Sequence, residues 1–334
     1  MTPLVPNSFN LHKVKLANRR TYQYCDQFPA NYIHASSTRL SGILHLALLF
    51  YQGTHGAIRS VPGCIADGVS FLPTCLTKPD DIACYTALSV AADLVGFLNA
   101  LEIKEPIILV GHDWGAEVSW AFAEQYAQRL KMLVCISVPY RAPLTRPFTV
   151  PEFVELEGED LTGYWLFTNE KDAGAIIDRN IPRFIDMVYR PHKTVNPHLF
   201  KAGTAKKIII GKTNPTGPSD LMGAKEREHY IEFFEASGPD APTRYHKSTP
   251  EWYAQEQELQ LNPVLPVSLP ILFVAPNHEL FTTPQCINAT KPYVPSLEVI
   301  RIEDCGHFAL LEKPDEITSI VGDWVEKKLN AVTF

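Results

Sequence analysis

Two kinds of apolar pattern alternate along the chain. Short unbroken runs, such as Ile107-Ile108-Leu109-Val110, Met132-Leu133-Val134-Cys135-Ile136 and Ile271-Leu272-Phe273-Val274, have the length and continuity of fully buried strands. Longer stretches repeat apolar residues every three or four positions. Val90, Leu94, Phe97, Leu98 and Leu101 do so across residues 89–101, with Asp93 and Asn99 off that face. Buried strand alternating with helix predicts a mostly parallel α/β sheet. A later strand, Leu297-Glu298-Val299-Ile300-Arg301-Ile302, and a last helix opened by Glu312-Lys313-Pro314 extend the pattern. Near the N-terminus, Val14, Leu16, Thr21, Tyr22 and Tyr24 alternate around Asn18-Arg19-Arg20, which signals a hairpin.

The pattern changes at Pro139. Residues 140–265 are richer in polar and aromatic side chains and hold helical runs at 175–189 and 224–236. In the first run Ile176, Ile177, Ile181, Phe184, Ile185 and Val188 share a face, and Pro182 is placed to break it in two. With no strand alternation in this stretch, it reads as a helical cap inserted into a core formed by residues 1–139 and 266–334.

Composition narrows the function. With 334 residues, 46% hydrophobic and 20% charged, the chain has ample core for one large α/β domain and its insert. Its net charge of -7 argues against nucleic acid or an anionic membrane as partner. Seven cysteines in scattered apolar settings form neither a disulfide framework nor a paired metal-ligand motif. A reducing, cytoplasmic setting is expected, with no metal or cofactor. Met1-Thr2-Pro3-Leu4-Val5-Pro6 lacks the basic-then-apolar pattern of a secretory signal, and residues 44–51 are too short a run to span a bilayer. Ala331-Val332-Thr333-Phe334 is not a Ser-Lys-Leu peroxisomal address.

The chemistry centres on Gly111-His112-Asp113-Trp114-Gly115, set between a buried strand and the helix-compatible run from Glu117 to Tyr126. This is the layout of a nucleophile elbow with aspartate where many hydrolases carry serine. A carboxylate there can attack a saturated carbon and form an ester that water later cleaves. The plainer alternative is an aspartate that caps the helix. His307, just past the last strand, is suited by its near-neutral reference pKa to activate that water. Its plainer alternative is a surface-loop histidine.

Gly111-His112-Asp113-Trp114-Gly115-Ala116 resembles the elbow of epoxide hydrolases of the α/β-hydrolase superfamily, and is similar in haloalkane dehalogenases. The resemblance runs from about residue 80 to the C-terminus and returns in the first thirty residues. It implies an α/β-hydrolase fold with an inserted helical cap. Superfamily order is nucleophile, acid, histidine, so it implies that Glu279, in Pro276-Asn277-His278-Glu279, orients His307; an exposed loop glutamate is an equal alternative. It also implies that two cap tyrosines, Tyr164 and Tyr245, hold and protonate the epoxide oxygen, with Tyr253 as a substitute. Trp114 is expected to line the pocket and lend its N–H to an oxyanion site, and Trp165 to contact substrate.

Residues 36–77 depart from the family. A second buried strand, a His-Gly-x-Pro oxyanion loop, a helix and a third strand are due there, and the core strand is expected to be missing. The chain offers an apolar run at 44–51, His55-Gly56 without the proline, and a loop-like segment containing Pro62, Gly63, Gly68 and Pro73. Read in another frame with allowed codons, residues 61–78 resemble the family's helix-to-strand segment. A frameshift or mis-spliced transcript across 36–77 is the expected cause, and activity is in doubt if the stretch stands.

The reading is a hydrolase opening an apolar epoxide to a diol. The resemblance extends to fungal proteins that act in polyketide or fatty-acid-derived secondary metabolism, including toxin biosynthesis. A haloalkane dehalogenase, which holds halide with ring N–H donors, is the alternative; a catalytically impaired hydrolase-fold binder is another. Sequencing the transcript across codons 30–82 is expected to restore a His-Gly-x-Pro loop in frame. A transcript encoding residues 36–77 as they stand would sink the frameshift.

Overall fold

A computed structural model of the chain describes residues 11–25, 46–50, 64–65, 79–196, 198–213, 217–237 and 240–331. Six strands form its main sheet: β3 (Leu46–Phe50), β4 (Cys64–Ile65), β5 (Ile107–His112), β6 (Leu130–Ile136), β7 (Ile271–Pro276) and β8 (Leu297–Ile302). Their order is β4-β3-β5-β6-β7-β8, and every adjacent pair is parallel. The parallel α/β sheet predicted from the alternation is therefore present.

Helices α1 (Ala87–Ala100) and α2 (Trp114–Tyr126) flank β5 in sequence, while α12 (Pro284–Thr290), α13 (Ala309–Glu312) and α14 (Pro314–Ala331) lie among and after the last strands. Alternate strand residues Ile108, Val110, Met132, Val134, Leu272 and Val274 share a buried cluster with Ile317, Val321, Trp324 and Val325 of α14. That helical set has the three-to-four-residue spacing of a core-facing stripe. Each fully buried aliphatic side chain contributes roughly 1.5–3 kcal/mol, so this layer fixes the strands and the loops that leave their ends.

One expectation is corrected here. The core strand thought missing beside β5 is present: β3 pairs with it in register from Leu46↔Ile108 to Phe50↔His112. Five apolar residues suffice for a strand, and pairing satisfies the backbone groups along an edge of β5. The due third strand is reduced to the two residues of β4, paired with β3. The oxyanion-loop match at His55-Gly56, and most of the proposed frameshift at 36–77, lie outside the described residues.

The hairpin forms as predicted, with β1 (Leu11–Lys15) antiparallel to β2 (Thr21–Cys25). Among the described residues it makes a two-stranded sheet of its own rather than an edge of the main sheet. Arg19 takes the left-handed conformation at its turn (φ 69°), and the Arg20 N–H donates to Asn18 Oδ1 at 3.1 Å. Asp93 of α1, off the apolar face, is nonetheless buried. Its carboxylate accepts from Asn18 Nδ2 at 2.7 Å and also from the Arg20 guanidinium and the Tyr22 hydroxyl. Three donors on one carboxylate replace the water it loses.

The chain divides into two compact units: residues 1–77, 91–142 and 262–334 in one, and 78–90 with 143–261 in the other. The second holds α3 (Val150–Glu157), α4 (Glu159–Thr162), α5 (Tyr164–Thr168), α6 (Ala173–Asp178), α7 (Ile181–Val188), α8 (Thr204–Ile209), α9 (Ala224–Ser237), α10 (Asp240–Lys247) and α11 (Thr249–Leu259). The run at 175–189 does break, with Pro182 in the first turn of α7 where its missing N–H costs least. Residues 78–90 cluster with this unit because Gln255 of α11 exchanges hydrogen bonds with Thr86 and Ser89. Arg227 meets Asp186 through two 2.6 Å bonds, and the Ser219 N–H adds a third at 2.9 Å. Among the described residues no helix is long and apolar enough to cross a membrane.

Removing one member of a buried ion pair costs roughly 3–5 kcal/mol, because the other is left uncompensated. Asp93→Ala is expected to lower stability by about that amount in urea denaturation. A change under about 1 kcal/mol would show that the hairpin anchor is not needed.

Candidate active site

Asp113 stands at the end of β5 with φ 55° and ψ -124°. A non-glycine residue in such a conformation stores on the order of 1–3 kcal/mol and needs firm support. The Asp113 carbonyl accepts from the N–H groups of Ala116 (2.9 Å) and Glu117 (3.2 Å), and the Asp113 N–H donates to Ile136 O at 3.4 Å. The elbow also needs its glycines close together. A Cβ at Gly111 would lie 2.3 Å from Gly115 O and 2.4 Å from Ser119 Oγ. The Asp113 side chain makes no N-cap hydrogen bond to the turn that follows it in α2. The N–H of Trp114, the first residue of α2, favours the carboxylate instead, and the Trp114 side chain is buried.

His307 lies between β8 and α13, and its Nε2 is 3.4 Å from Asp113 Oδ1. Its Nδ1 is 2.6 Å from Glu279 Oε2. Glu279 follows β7, and its side chain is 4% exposed, which removes the exposed-loop alternative. Its other oxygen accepts from the Phe281 N–H at 3.3 Å. The two loops are stitched together: the Asn277 N–H donates to Ile302 O and the His278 N–H to Cys305 O, both at 2.9 Å. The Gly306 N–H donates to Glu312 Oε1 at 3.1 Å. Three residues from the ends of three strands are thus brought into one line, Asp113–His307–Glu279.

Charge follows from this line. Burial pushes the His307 imidazolium toward neutrality. The carboxylates of Glu279 and Asp113, the hydrogen bond to Glu279 and the charge of Glu312 outweigh it, holding its pKa up to about 9. Burial raises the Asp113 pKa, with the Glu279 charge adding to the rise; His307 and the Trp114 N–H oppose it. The arrangement offers a carboxylate nucleophile and a base already oriented by a second acid.

The predicted cap residues all lie in the second unit. Tyr164 on α5 has its ring 5.6 Å from Phe200 and 5.4 Å from the buried His246. Tyr245 on α10 is buried, edge-to-face with Tyr85 at 6.2 Å. Trp165 stacks on Phe153 (4.6 Å, 21°) and meets the His246 ring at 4.7 Å. Tyr253 packs on the cluster of Leu144, Phe148 and Phe153. Phenols and packing aromatics are therefore interleaved on neighbouring helices.

Sequence reasoning passed over His112. It is buried inside the elbow, its Nε2 is 2.7 Å from the His307 carbonyl oxygen, and burial, then the charge of His307, pushes its pKa down to about 3. Its place in the elbow was visible; its partner, 195 residues away, was not.

The model of the family described as alpha/beta hydrolase fold matches residues 70–314. Bifunctional epoxide hydrolase 2 of Sus scrofa is 23% identical over 254 residues, which are 75% of this chain and 44% of that protein. The chain thus spans less than half the length of that relative. Epoxide hydrolase srdG of Neurospora crassa is 20% identical over 67% of each chain. Among solved structures, an epoxide hydrolase from an endophytic Streptomyces superposes with a TM-score of 0.76 at 18% identity, covering 96% of both chains. Epoxide hydrolase A from Mycobacterium thermoresistibile gives 0.71 at 21% identity, covering 96% of this chain and 98% of that one.

The folded chain holds the His307 proton up to about pH 9, whereas the unfolded chain releases it near 6.5. The stabilisation from this coupling is complete below pH 6.5 and is lost as pH rises through 9. Thermal melting over that interval is expected to fall with rising pH, and Glu279→Gln to flatten the fall. A wild-type melting temperature that holds constant there would refute the coupling.

Proposed function

Since the chain belongs to the alpha/beta hydrolase fold family, we propose that it opens an apolar epoxide to a diol through an ester on Asp113. The observation that carries this reading is the contact of His307 with Asp113 Oδ1 on one side and Glu279 Oε2 on the other. A carboxylate on a strained elbow beside an oriented imidazole suits formation and then hydrolysis of an ester.

In the first step an Asp113 oxygen bonds to an epoxide carbon and the ring C–O bond breaks. One of Tyr164 and Tyr245 gives its proton to the departing oxygen and is left a phenolate, while the other donates a hydrogen bond; a phenol is neutral near pH 7 and so has the proton to give. In the second step His307, held by Glu279, takes a proton from water, which attacks the Asp113 carbonyl carbon. The Trp114 N–H beside the carboxylate is suited to the oxyanion that forms.

The aromatic cap residues around Trp165 and Phe153 favour an apolar substrate over a charged one. A place in fungal secondary metabolism rests on the elbow resemblance, alongside the similarity to the Neurospora crassa protein. Cytoplasmic location is part of the same proposal, in keeping with the free thiols of Cys84, Cys135, Cys286 and Cys305.

A single turnover in heavy-oxygen water tests the pathway. The label is expected in the Asp113 carboxylate and not in the first diol; label directly in that diol would exclude the ester. Asp113→Asn is expected to abolish turnover and His307→Gln to leave the ester uncleaved. Replacing both tyrosines by phenylalanine should slow ester formation by about 10²–10⁴-fold.

A further inference from the structure

We infer that His112 and Ser137 are positioning residues that grip the backbone carbonyl of His307 and so hold its imidazole between Asp113 and Glu279. The inference rests on the proposed role of His307 as base. His112 Nε2 lies 2.7 Å from His307 O, and the Ser137 hydroxyl donates to the same oxygen at 3.1 Å. A carbonyl can only accept, so His112 carries its proton on Nε2. The pKa of about 3 that burial imposes keeps this ring neutral throughout the working range.

The two donors come from adjacent strands. His112 ends β5, one residue before the nucleophile, and Ser137 follows β6 with φ 69°. The Ser137 N–H donates to Val274 O of β7 at 3.1 Å, which locks that unusual backbone in place. The loop bearing His307 is tied at Cys305 and Gly306, but those bonds fall before the histidine and leave its own carbonyl to His112 and Ser137. Its carbonyl is bonded to the histidine Cα, so movement of this oxygen moves the imidazole. The His112 and His307 rings lie 5.1 Å apart, with Phe308 flanking both at 6.3 and 4.9 Å.

Geometry of this kind governs the second chemical step. Once the ester removes the Asp113 charge, His307 passes its Nε2 proton to the phenolate left by the first step; water then gives one proton to His307 Nε2 as its oxygen bonds to the Asp113 carbonyl carbon. The ester C–O bond breaks, and the imidazolium returns that proton to the departing diol oxygen. The proton left on the Asp113 carboxyl passes to His307 and restores the starting ion pair. A displaced imidazole slows this step, while attack of Asp113 on the epoxide does not use it.

The test begins with histidine titration by NMR on the full chain. The charged groups facing His307 are Asp113 at the end of β5, Glu279 after β7 and Glu312 on α13; none of the variants alters them. In the wild type the His307 pKa is expected at about 9. In His112→Phe, which fills the space but cannot donate, it should fall toward 6.5, while His112→Gln, which keeps a donor, should retain it. Ser137→Ala should fall part of the way, and carries the test if His112→Phe does not fold. An unchanged value in both donor-free variants overturns the grip. Quenched intact-mass measurements with trans-stilbene oxide supply the second readout. His112→Phe should form the ester at the wild-type rate and cleave it roughly 10- to 100-fold more slowly, with partial rescue in His112→Gln. Equal slowing of both steps, or no slowing of cleavage, also overturns it. A wild-type chain that forms no ester would defeat the hydrolase reading, and the titration would still decide whether the carbonyl is held.

Discussion

The backbone at Asp113 is the constraint on which the site depends. Its φ of 55° is unfavourable for an L residue, and the conformation persists only because β5 is buried along its length and α2 starts at the next residue. The close approach of Gly111 to Gly115 O leaves no room for a side chain there. Strand, turn and helix are therefore one unit of packing, and the carboxylate direction follows from that unit rather than from contacts of its own. Any change that loosens β5 or α2 releases the strain at the nucleophile first.

Electrostatics then sets what the elbow can do. Two carboxylates and one imidazole lie together, Glu279 buried and the other two partly so, and the imidazole lies between the carboxylates. Its proton is held so firmly because Glu279 and Asp113 both favour the cation. An ester on Asp113, as proposed, would carry no charge, so one of those two supports would disappear and the imidazole would become a freer base. The proposed pathway thus places different demands on His307 before and after the ester forms. His112 adds a donor without adding charge.

Much of this was legible in the sequence. The Gly-x-Asp-x-Gly spacing between a buried run and a helical one points to Asp113, and chain order to His307; the structure brings the two side chains within 3.4 Å. Glu279 is ambiguous in sequence because a loop glutamate carries no mark of burial; in the structure it is buried, beside His307 Nδ1 and the Phe281 N–H. The apolar run at 44–51 was undervalued, since a strand beside β5 needs only a few apolar residues and a free edge. The attachment of residues 78–90 to the helical unit depends on side-chain hydrogen bonds to Gln255, which no periodicity reports. The same holds for Asp93, whose three donors come from a hairpin more than seventy residues earlier.

The order of the sheet has a consequence for synthesis. Asp113 lies at the end of a strand made early, whereas Glu279 and His307 follow β7 and β8, which extend the sheet beyond β6 only after the helical segment has been made. At roughly 5–20 residues per second, the 195 residues from His112 to His307 take about 10–40 s to emerge. For the part of that interval before β7 is made, β6 lacks its neighbour and presents an open edge, the surface on which growing chains mispair and chaperones act. The last seventy residues close that edge and bring His307 and Glu279 to Asp113 in the same event. A ribosome-bound chain therefore carries Asp113 without its two partners, and the line of three side chains is assembled only with completion of the sheet.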